Sequence, residues 1–257
     1  MSTLLTAVKK TKIYARKYGQ ILSDNQLYLR LISPKEYDFE EIKDKGRQDS
    51  DNNGWHRKVE IAKEFTNKYL LGFLGIKMVG ITGSVAAEAV KENEDIDLLI
   101  VTKKDELWWW RLYLRFYIWW NKIPHRKYKK KERANELCFN LWLDTANLEI
   151  PVEKRNLKNA TDLILMKVIL NKENTYKKFL EANVWARKYL ATGYRERIKI
   201  SREVDEKINS KNEEKNSFIK KIINRILFWG QYLYMWSKVR KKLKYIKSGQ
   251  AFFHEGT

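Results

Sequence analysis

Two short apolar runs flank a polar turn and an acidic loop in the middle of the chain, at residues 78–81 and 98–101. Their length and composition are typical of buried β-strands. Residues 85–90 lie between them and can form one or two helical turns. The pattern therefore predicts a strand, a tight turn, a short helix, an acidic loop and a second strand.

Helical periodicity precedes and follows this unit. Residues 55–73 place apolar side chains at steps of three and four, which predicts an amphipathic helix that leads into the first strand. Residues 137–143 alternate as a third strand, and from Asn156 onward the pattern is helical, with 160–170 apolar enough to be buried. We therefore expect an α+β fold in which a small mixed β-sheet is backed by helices and followed by a mainly helical C-terminal region. The expected segments are an N-terminal helical and loop extension (1–54), a sheet-containing core (55–152) and a helical C-terminal region (153–257).

Composition makes the chain globular and strongly basic. Its 257 residues are 44% hydrophobic and 13% aromatic, which excludes a disordered chain. Cys138 is the only cysteine, so no internal disulfide can form, and its place in an apolar strand predicts a buried, inert thiol. Residues 1–8 are too short for a signal peptide, so we expect a cytoplasmic protein. The net charge of +20 favours polyanionic partners such as nucleotides or nucleic acid, although a lysine-rich genome would also produce it.

The candidate chemistry lies in the turn and the acidic loop. Gly83 allows the backbone to approach a phosphate closely, and Ser84 adds a hydroxyl donor. Asp95 and Asp97 are separated by one residue, so their side chains share one face of an extended strand. Magnesium prefers oxygen ligands and is usually held by one or two carboxylates together with substrate phosphates. These four residues therefore predict a phosphate and metal site.

Gly83-Ser84, ten intervening residues and then Asp95-Ile96-Asp97 resemble the signature of the nucleotidyltransferase superfamily typified by DNA polymerase β. Residues 135–143, 176–185 and 251–254 look like an uncharacterised branch of its stand-alone bacterial and archaeal members. The resemblance implies a nucleotidyltransferase core over 55–152 and two divalent cations, Mg²⁺ or Mn²⁺. It also implies transfer of a nucleoside monophosphate from a nucleoside triphosphate, with Asp95 and Asp97 as metal ligands.

The chain departs from that signature at two places. Many relatives have a glycine four residues after the serine, where this chain has Glu88. The third carboxylate is also not obvious: on strict alternation Asn140 and Asp144 share one strand face, and Asp144 is the carboxylate of the two. We assign Asp144 to the catalytic set and Asn140 to the nucleotide-binding set, where it could take the third place as a neutral ligand. Glu149 is a further candidate if the strand continues.

Two other segments leave alternatives open. Residues 107–120 hold five of the ten tryptophans but are too short, and carry too many arginines, for a transmembrane span. They fit a helix packed on the sheet, an interfacial membrane helix, or aromatic stacking on bases. Residues 218–245 form a long helical pattern in which aromatic and basic residues alternate, with the same alternatives. The basic loop at 121–133 is either a solvated surface loop or a guide for a triphosphate or polynucleotide.

The sequence thus favours a metal-dependent nucleotidyltransferase that moves a nucleoside monophosphate to a hydroxyl acceptor and releases pyrophosphate. RNA 3′ ends, a protein side chain and a small hydroxylated molecule remain possible acceptors. The alternative is a weakened nucleotidyltransferase-fold module that binds nucleotide, nucleic acid or an anionic membrane surface.

Overall fold

A computed structural model describes residues 3–46, 54–90, 93–126, 133–205, 217–239 and 245–253. A mixed β-sheet with helices on both faces forms the centre of the molecule, which confirms the α+β prediction. The strands are β1 (Ile76–Ile81), β2 (Ile96–Thr102), β3 (Leu137–Asp144), β4 (Lys167–Asn171) and β5 (Gln250–Phe252). The helices are α1 (Leu4–Arg16), α2 (Asp24–Leu29), α3 (Phe39–Ile42), α4 (Gly54–Tyr69), α5 (Gly83–Ala86), α6 (Leu107–Trp120), α7 (Leu157–Leu165), α8 (Thr175–Ala182), α9 (Ala191–Asp205) and α10 (Ser217–Val239).

The five described strands are arranged in the order β4-β1-β2-β3-β5. The β1–β2, β1–β4 and β3–β5 pairs are antiparallel, whereas β2 and β3 are parallel. The parallel pair requires a crossover, which α6 supplies between β2 and β3. The predicted unit of strand, turn, short helix and strand is therefore the centre of the sheet, formed by β1, α5 and β2.

Alternation along the central strands gives the sheet two apolar faces. On β2, Leu98 and Ile100 belong to a core formed with α4, α6 and α10, and Leu99 and Val101 belong to a second core formed with α7, α8 and α9. A third, smaller core joins α1, α2 and α3. Since both sheet faces are covered, the polar groups at the strand ends lie at the margin of a well-packed scaffold.

The C-terminal half differs from the sequence prediction in one respect. The pattern over 160–170 predicts a helix, but α7 ends at Leu165 and residues 167–171 form β4, an edge strand paired with β1. Periodicity cannot separate a buried strand from a buried helix in so short a run. Val168 and Ile169 are β-branched and favour the strand once β1 offers a partner. Both β4 and β5 thus complete the sheet from the segment predicted to be helical.

Helix α10 carries the long C-terminal helical pattern, and α6 has the predicted bounds of the tryptophan-rich segment. Within the described ranges, no helix combines the length and the apolar character that crossing a bilayer demands.

Candidate active site

The turn between β1 and α5 is packed directly against the second aspartate. Gly83 has a φ of +67°, in the left-handed region that favours glycine. A Cβ at Gly83 would lie 2.7 Å from Oδ2 of Asp97. The Thr82 N–H donates to the Asp97 backbone carbonyl across 2.9 Å, which fixes the turn to the start of β2. Glycine is therefore required here by both backbone conformation and contact with the carboxylate.

The structure brings the two predicted metal ligands together. Asp97 lies on β2 and Asp95 just before it, and a carboxylate oxygen of each lies within 4.8 Å of the other and of Cys138 Sγ. Asp95 is buried, and Asp97 is partly exposed. Two carboxylates this close repel each other unless a cation lies near them, which makes the cluster a candidate cation site.

Cys138 occupies the third position of this cluster. It is the register partner of Asp97 on the neighbouring strand β3. Burial, followed by the negative charges of Asp97 and Asp95, raises the pKa of the Cys138 thiol far above its usual value. A protonated thiol is a poor ligand for Mg²⁺, which takes oxygen ligands. The two carboxylates are therefore the cation ligands that the described cluster offers, with Cys138 as a neutral neighbour.

Two cations hold the acidic loop in place. Nη1 of Arg126 donates to Oδ2 of Asp95 across 2.8 Å. On the other side of the loop, the buried Lys58 of α4 donates through Nζ to the Glu94 carbonyl. Arg126 belongs to the predicted basic loop, whose residues 127–132 lie outside the described part of the chain. The ion pair supplies one positive charge to the carboxylate pair and identifies Arg126 as part of the site.

A β-bulge decides which residues of β3 face this cluster. Asp97 pairs with Cys138 and Leu99 pairs with Leu141, so β3 contains one residue more than β2 between these two pairs. After the bulge, Leu143 lies in the same core as Leu99, which strict alternation from Cys138 does not allow. Strict alternation, which the sequence predicts over residues 137–143, is therefore wrong. Asn140 lies within the bulge, and its side chain is outside the described part of the structure.

The structure does not bring Asp144 to the carboxylate pair. Asp144 pairs with Thr102 at the far end of β2, about 16 Å along the strand from Asp97. Its buried Oδ1 accepts hydrogen bonds from the Ala146 N–H (3.0 Å) and the Asn147 Nδ2 (2.8 Å). Asp144 therefore stabilises the turn that follows β3, and this position does not fit the third catalytic carboxylate.

Glu149, the further candidate, is also remote from the cluster. Its side chain is largely exposed and pairs with Arg155. The described cluster therefore contains two carboxylates, Asp95 and Asp97, and includes neither Asp144 nor Glu149.

Glu88 occupies the position where the resembled signature often has glycine, and its side chain makes contacts that a glycine could not make. It follows α5 at a φ of +57°, a left-handed conformation that a side chain adopts at some cost. Its carboxylate accepts from Lys167 Nζ of β4 (2.7 Å) and from Gln26 Nε2 of α2 (2.6 Å). Burial alone would raise the pKa of Glu88, but these two partners and the charge of Arg30 bring it below its usual value. The strained turn is thus held by an ionic and hydrogen-bonded contact.

All four predicted residues of the motif line one cavity of about 610 Å³. Its wall includes Gly83, Ser84, Asp95 and Asp97, and continues over α1, α7 and the sheet face that carries Leu99. This volume lies within the range of small-molecule sites. The wall also carries four cationic side chains, Lys17, Arg30, Lys154 and Lys158, and two carboxylates beyond the motif, Glu94 and Asp162.

No motif in the sequence identifies Arg30 as a residue of the site. It is buried, and its guanidinium donates to the Gln20 side chain (2.9 Å) and to the Ala87 carbonyl at the end of α5 (2.6 Å). Its Nε is also buried and donates to no group in the part of the chain that is described. Burial lowers the pKa of Arg30 to about 10, so the group is still charged at neutral pH. A buried cationic donor beside the Gly83-Ser84 turn fits an anionic ligand.

The chain matches no protein-family model, no curated protein and no solved structure.

Proposed function

We propose that the chain is a metal-dependent nucleotidyltransferase, which moves a nucleoside monophosphate from a nucleoside triphosphate to a hydroxyl acceptor. The observation that carries the proposal is the packing of Gly83 against Asp97 at the wall of the cavity, with Asp95 within 4.8 Å. A backbone turn open to close approach thus lies beside a carboxylate pair, which supports the binding of a phosphate and a cation next to each other. Phosphoryl transfer depends mainly on such positioning and charge stabilisation.

Different residues of the cavity would bind the anion and the cation. Arg30 and the Gly83-Ser84 turn would hold the phosphate oxygens, since a buried guanidinium and a bare backbone suit an anion. Asp95 and Asp97 would hold Mg²⁺ or Mn²⁺, which would neutralise charge on the phosphates. Arg126 would keep Asp95 oriented toward the cavity through their ion pair. In the reaction, the acceptor hydroxyl would lose its proton to solvent and its oxygen would bond to the α-phosphorus. The bond from that phosphorus to the oxygen bridging to the β-phosphorus would break, and pyrophosphate would leave with that oxygen.

A second candidate is a binding module of the same fold without transfer activity. Two observations favour it: Cys138 stands where a third carboxylate would join the pair, and Arg126 already neutralises Asp95. Such a module would bind nucleoside triphosphate with a divalent cation but would not activate a hydroxyl. The net charge of +20 supports nucleic acid as the acceptor in the first case and as a ligand in the second.

The test is to incubate the full chain with Mg²⁺ or Mn²⁺ and each α-labelled nucleoside triphosphate, with total RNA, with the protein alone, or with a metabolite extract. Label in RNA, protein or a small product supports the transferase and identifies the acceptor class. Cation-dependent nucleotide binding without transfer supports the module.

Matched variants make the result specific to the site. Asp95→Asn and Asp97→Asn should weaken cation-dependent binding at least about tenfold and abolish any transfer, whereas Asp144→Asn makes the same chemical change outside the cluster and should preserve both. Activity or binding that survives equally in all three variants would contradict both candidates.

A further inference from the structure

Helices α6 and α10 expose apolar side chains on the side that faces away from the core. On α6, the buried residues Leu107, Trp108, Arg111, Leu114 and Ile118 line one side. The opposite side exposes five large apolar side chains, Trp109, Leu112, Phe116, Trp119 and Trp120. Their spacing of three and four residues makes them one continuous stripe.

Helix α10 repeats the arrangement. It packs against α6 through residues such as Asn224, which accepts from the Trp108 N–H (2.8 Å), and Gln231, which donates to the Trp108 carbonyl (2.9 Å). Its opposite side exposes six large apolar side chains, again at helical spacing, which are Ile219, Ile222, Ile226, Trp229, Leu233 and Trp236. The two contacting helices therefore each present an outward apolar stripe, and we call these residues the paired stripes.

The two stripes together expose a large apolar area. Eleven large side chains at roughly half exposure amount to on the order of 1,000 Å². Each stripe alone therefore exposes about 500 Å², which is close to the 300–600 Å² of the largest apolar patch on a typical soluble monomer, a size that often marks an interaction surface. The α6 stripe ends in a cluster of aromatic rings, in which the ring centroid of Phe116 lies 5.9 Å from those of both Trp119 and Trp120.

The charges beside the paired stripes have one sign. Neither helix contains Asp or Glu within its bounds. Arg115 on α6 and Lys221 and Arg225 on α10 are exposed and lie roughly a quarter-turn from the stripe of their helix. A second copy of the chain would bring like charges together, so the surface fits an anionic partner better than itself.

We propose that the paired stripes dock the protein onto an anionic lipid bilayer, with exposed apolar side chains of α6 and α10 inserted at the boundary between headgroups and acyl chains. Tryptophan and tyrosine favour the depth of the lipid headgroups, and flanking basic residues bind anionic headgroups. The aliphatic members of the stripes, such as Leu112, Ile226 and Leu233, have no flat face for stacking on bases, which favours lipid over single-stranded nucleic acid. Neither helix meets the requirements of a bilayer span, which agrees with an interfacial position.

The test is flotation of the full, nuclease-treated chain with vesicles of phosphatidylcholine alone or with about one-third phosphatidylglycerol. We expect binding to the anionic vesicles at least about tenfold tighter than to the neutral ones, and weakened at about 1 M salt, where charges are screened within ~3 Å. Equal recovery with both vesicle types, or none with either, would overturn the proposal.

A surface variant carries Trp119→Ser, Trp120→Ser, Ile226→Gln and Leu233→Gln, whose native side chains are 64–69% exposed. Its matched control carries Leu5→Gln and Leu74→Gln, which are equally exposed at 71% and 70% but lie outside the paired stripes. The surface variant should lose at least about tenfold in affinity for anionic vesicles, and the control should bind as the parent does. If the parent is an oligomer in solution and the surface variant a monomer, the stripes bind a second copy and the lipid proposal fails. Binding of single-stranded RNA that the surface variant loses, without vesicle binding, would likewise overturn it.

Discussion

Replacement of Gly83 by alanine tests the geometry of the site most sharply. The substitution has two separate costs. An L-residue in the left-handed conformation at φ +67° costs about 1–2 kcal/mol. The new Cβ would also lie 2.7 Å from Oδ2 of Asp97, so the carboxylate must leave its rotamer at about 0.5–1.5 kcal/mol. We expect Gly83→Ala to lower the free energy of unfolding by about 1.5–3.5 kcal/mol.

Gly19 provides a matched control for the backbone cost. It has a φ of +71°, and a Cβ there would meet no atom within 4 Å. Gly19→Ala should therefore lower stability by about 1–2 kcal/mol, without the contact cost. Urea unfolding of both variants in EDTA gives the two free energies, and their difference isolates the contact with Asp97.

A double-mutant cycle identifies the clashing group. In an Asp97→Ala background the carboxylate is absent, so Gly83→Ala should cost only about 1–2 kcal/mol, a coupling of about 0.5–1.5 kcal/mol. In an Asp97→Asn background the side chain keeps its size, and the full cost should return. An identical cost of Gly83→Ala in all three backgrounds would refute the predicted contact between the turn and the carboxylate.

Further predictions concern the residues around the carboxylate pair. Cys138→Asp adds a third carboxylate, so the variant should be less stable than the parent in EDTA. It should regain about 2.7 kcal/mol of stability when Mn²⁺ is present at 100 times its Kd. A thermal unfolding midpoint that does not change with Mn²⁺ would contradict this. Because the folded pKa of Glu88 is below its ordinary value of 4.5, its contribution is present above that pH and lost as the pH falls through the folded pKa. The stability gap between the parent and Glu88→Gln should therefore be constant near neutral pH and close in acid, as measured by urea unfolding, and a gap that widens in acid would show the opposite linkage. Asp144→Asn should leave cation-dependent nucleotide affinity within about twofold of the parent by calorimetry, since Asp144 lies far from the pair; a large loss would return it to the site.

The sequence predicted those features that depend on local pattern. The apolar runs around Gly83 and Asp97 became β1 and β2, and residues 107–120 became α6 with the same bounds, because periodicity and turn chemistry act over a few residues. The two aspartates lie together because they are separated by one residue near the start of β2.

The rest of the site depends on tertiary packing that no local pattern records. One extra residue in the bulge of β3 changes which of its side chains share a face, and Asp144 lies at the far end of the strand pair from Asp97. Arg30 reaches the α5 turn from a separate helical unit 57 residues earlier in the chain, with no motif around it. β4 forms as a strand because β1 has an edge to pair with, which outweighs the helical pattern of its own sequence.

The most direct test of the account is calorimetric titration of the full chain with each nucleoside triphosphate, in Mg²⁺ and in EDTA, beside the Asp97→Asn and Asp144→Asn variants. We predict that nucleoside triphosphate binds only with the cation, that its affinity falls at least about tenfold (about 1.4 kcal/mol) in Asp97→Asn, and that binding persists in Asp144→Asn. Nucleotide binding that is indifferent to both the cation and Asp97, or no binding of any nucleotide by the parent, would contradict the assignment of the cavity as a metal and nucleotide site.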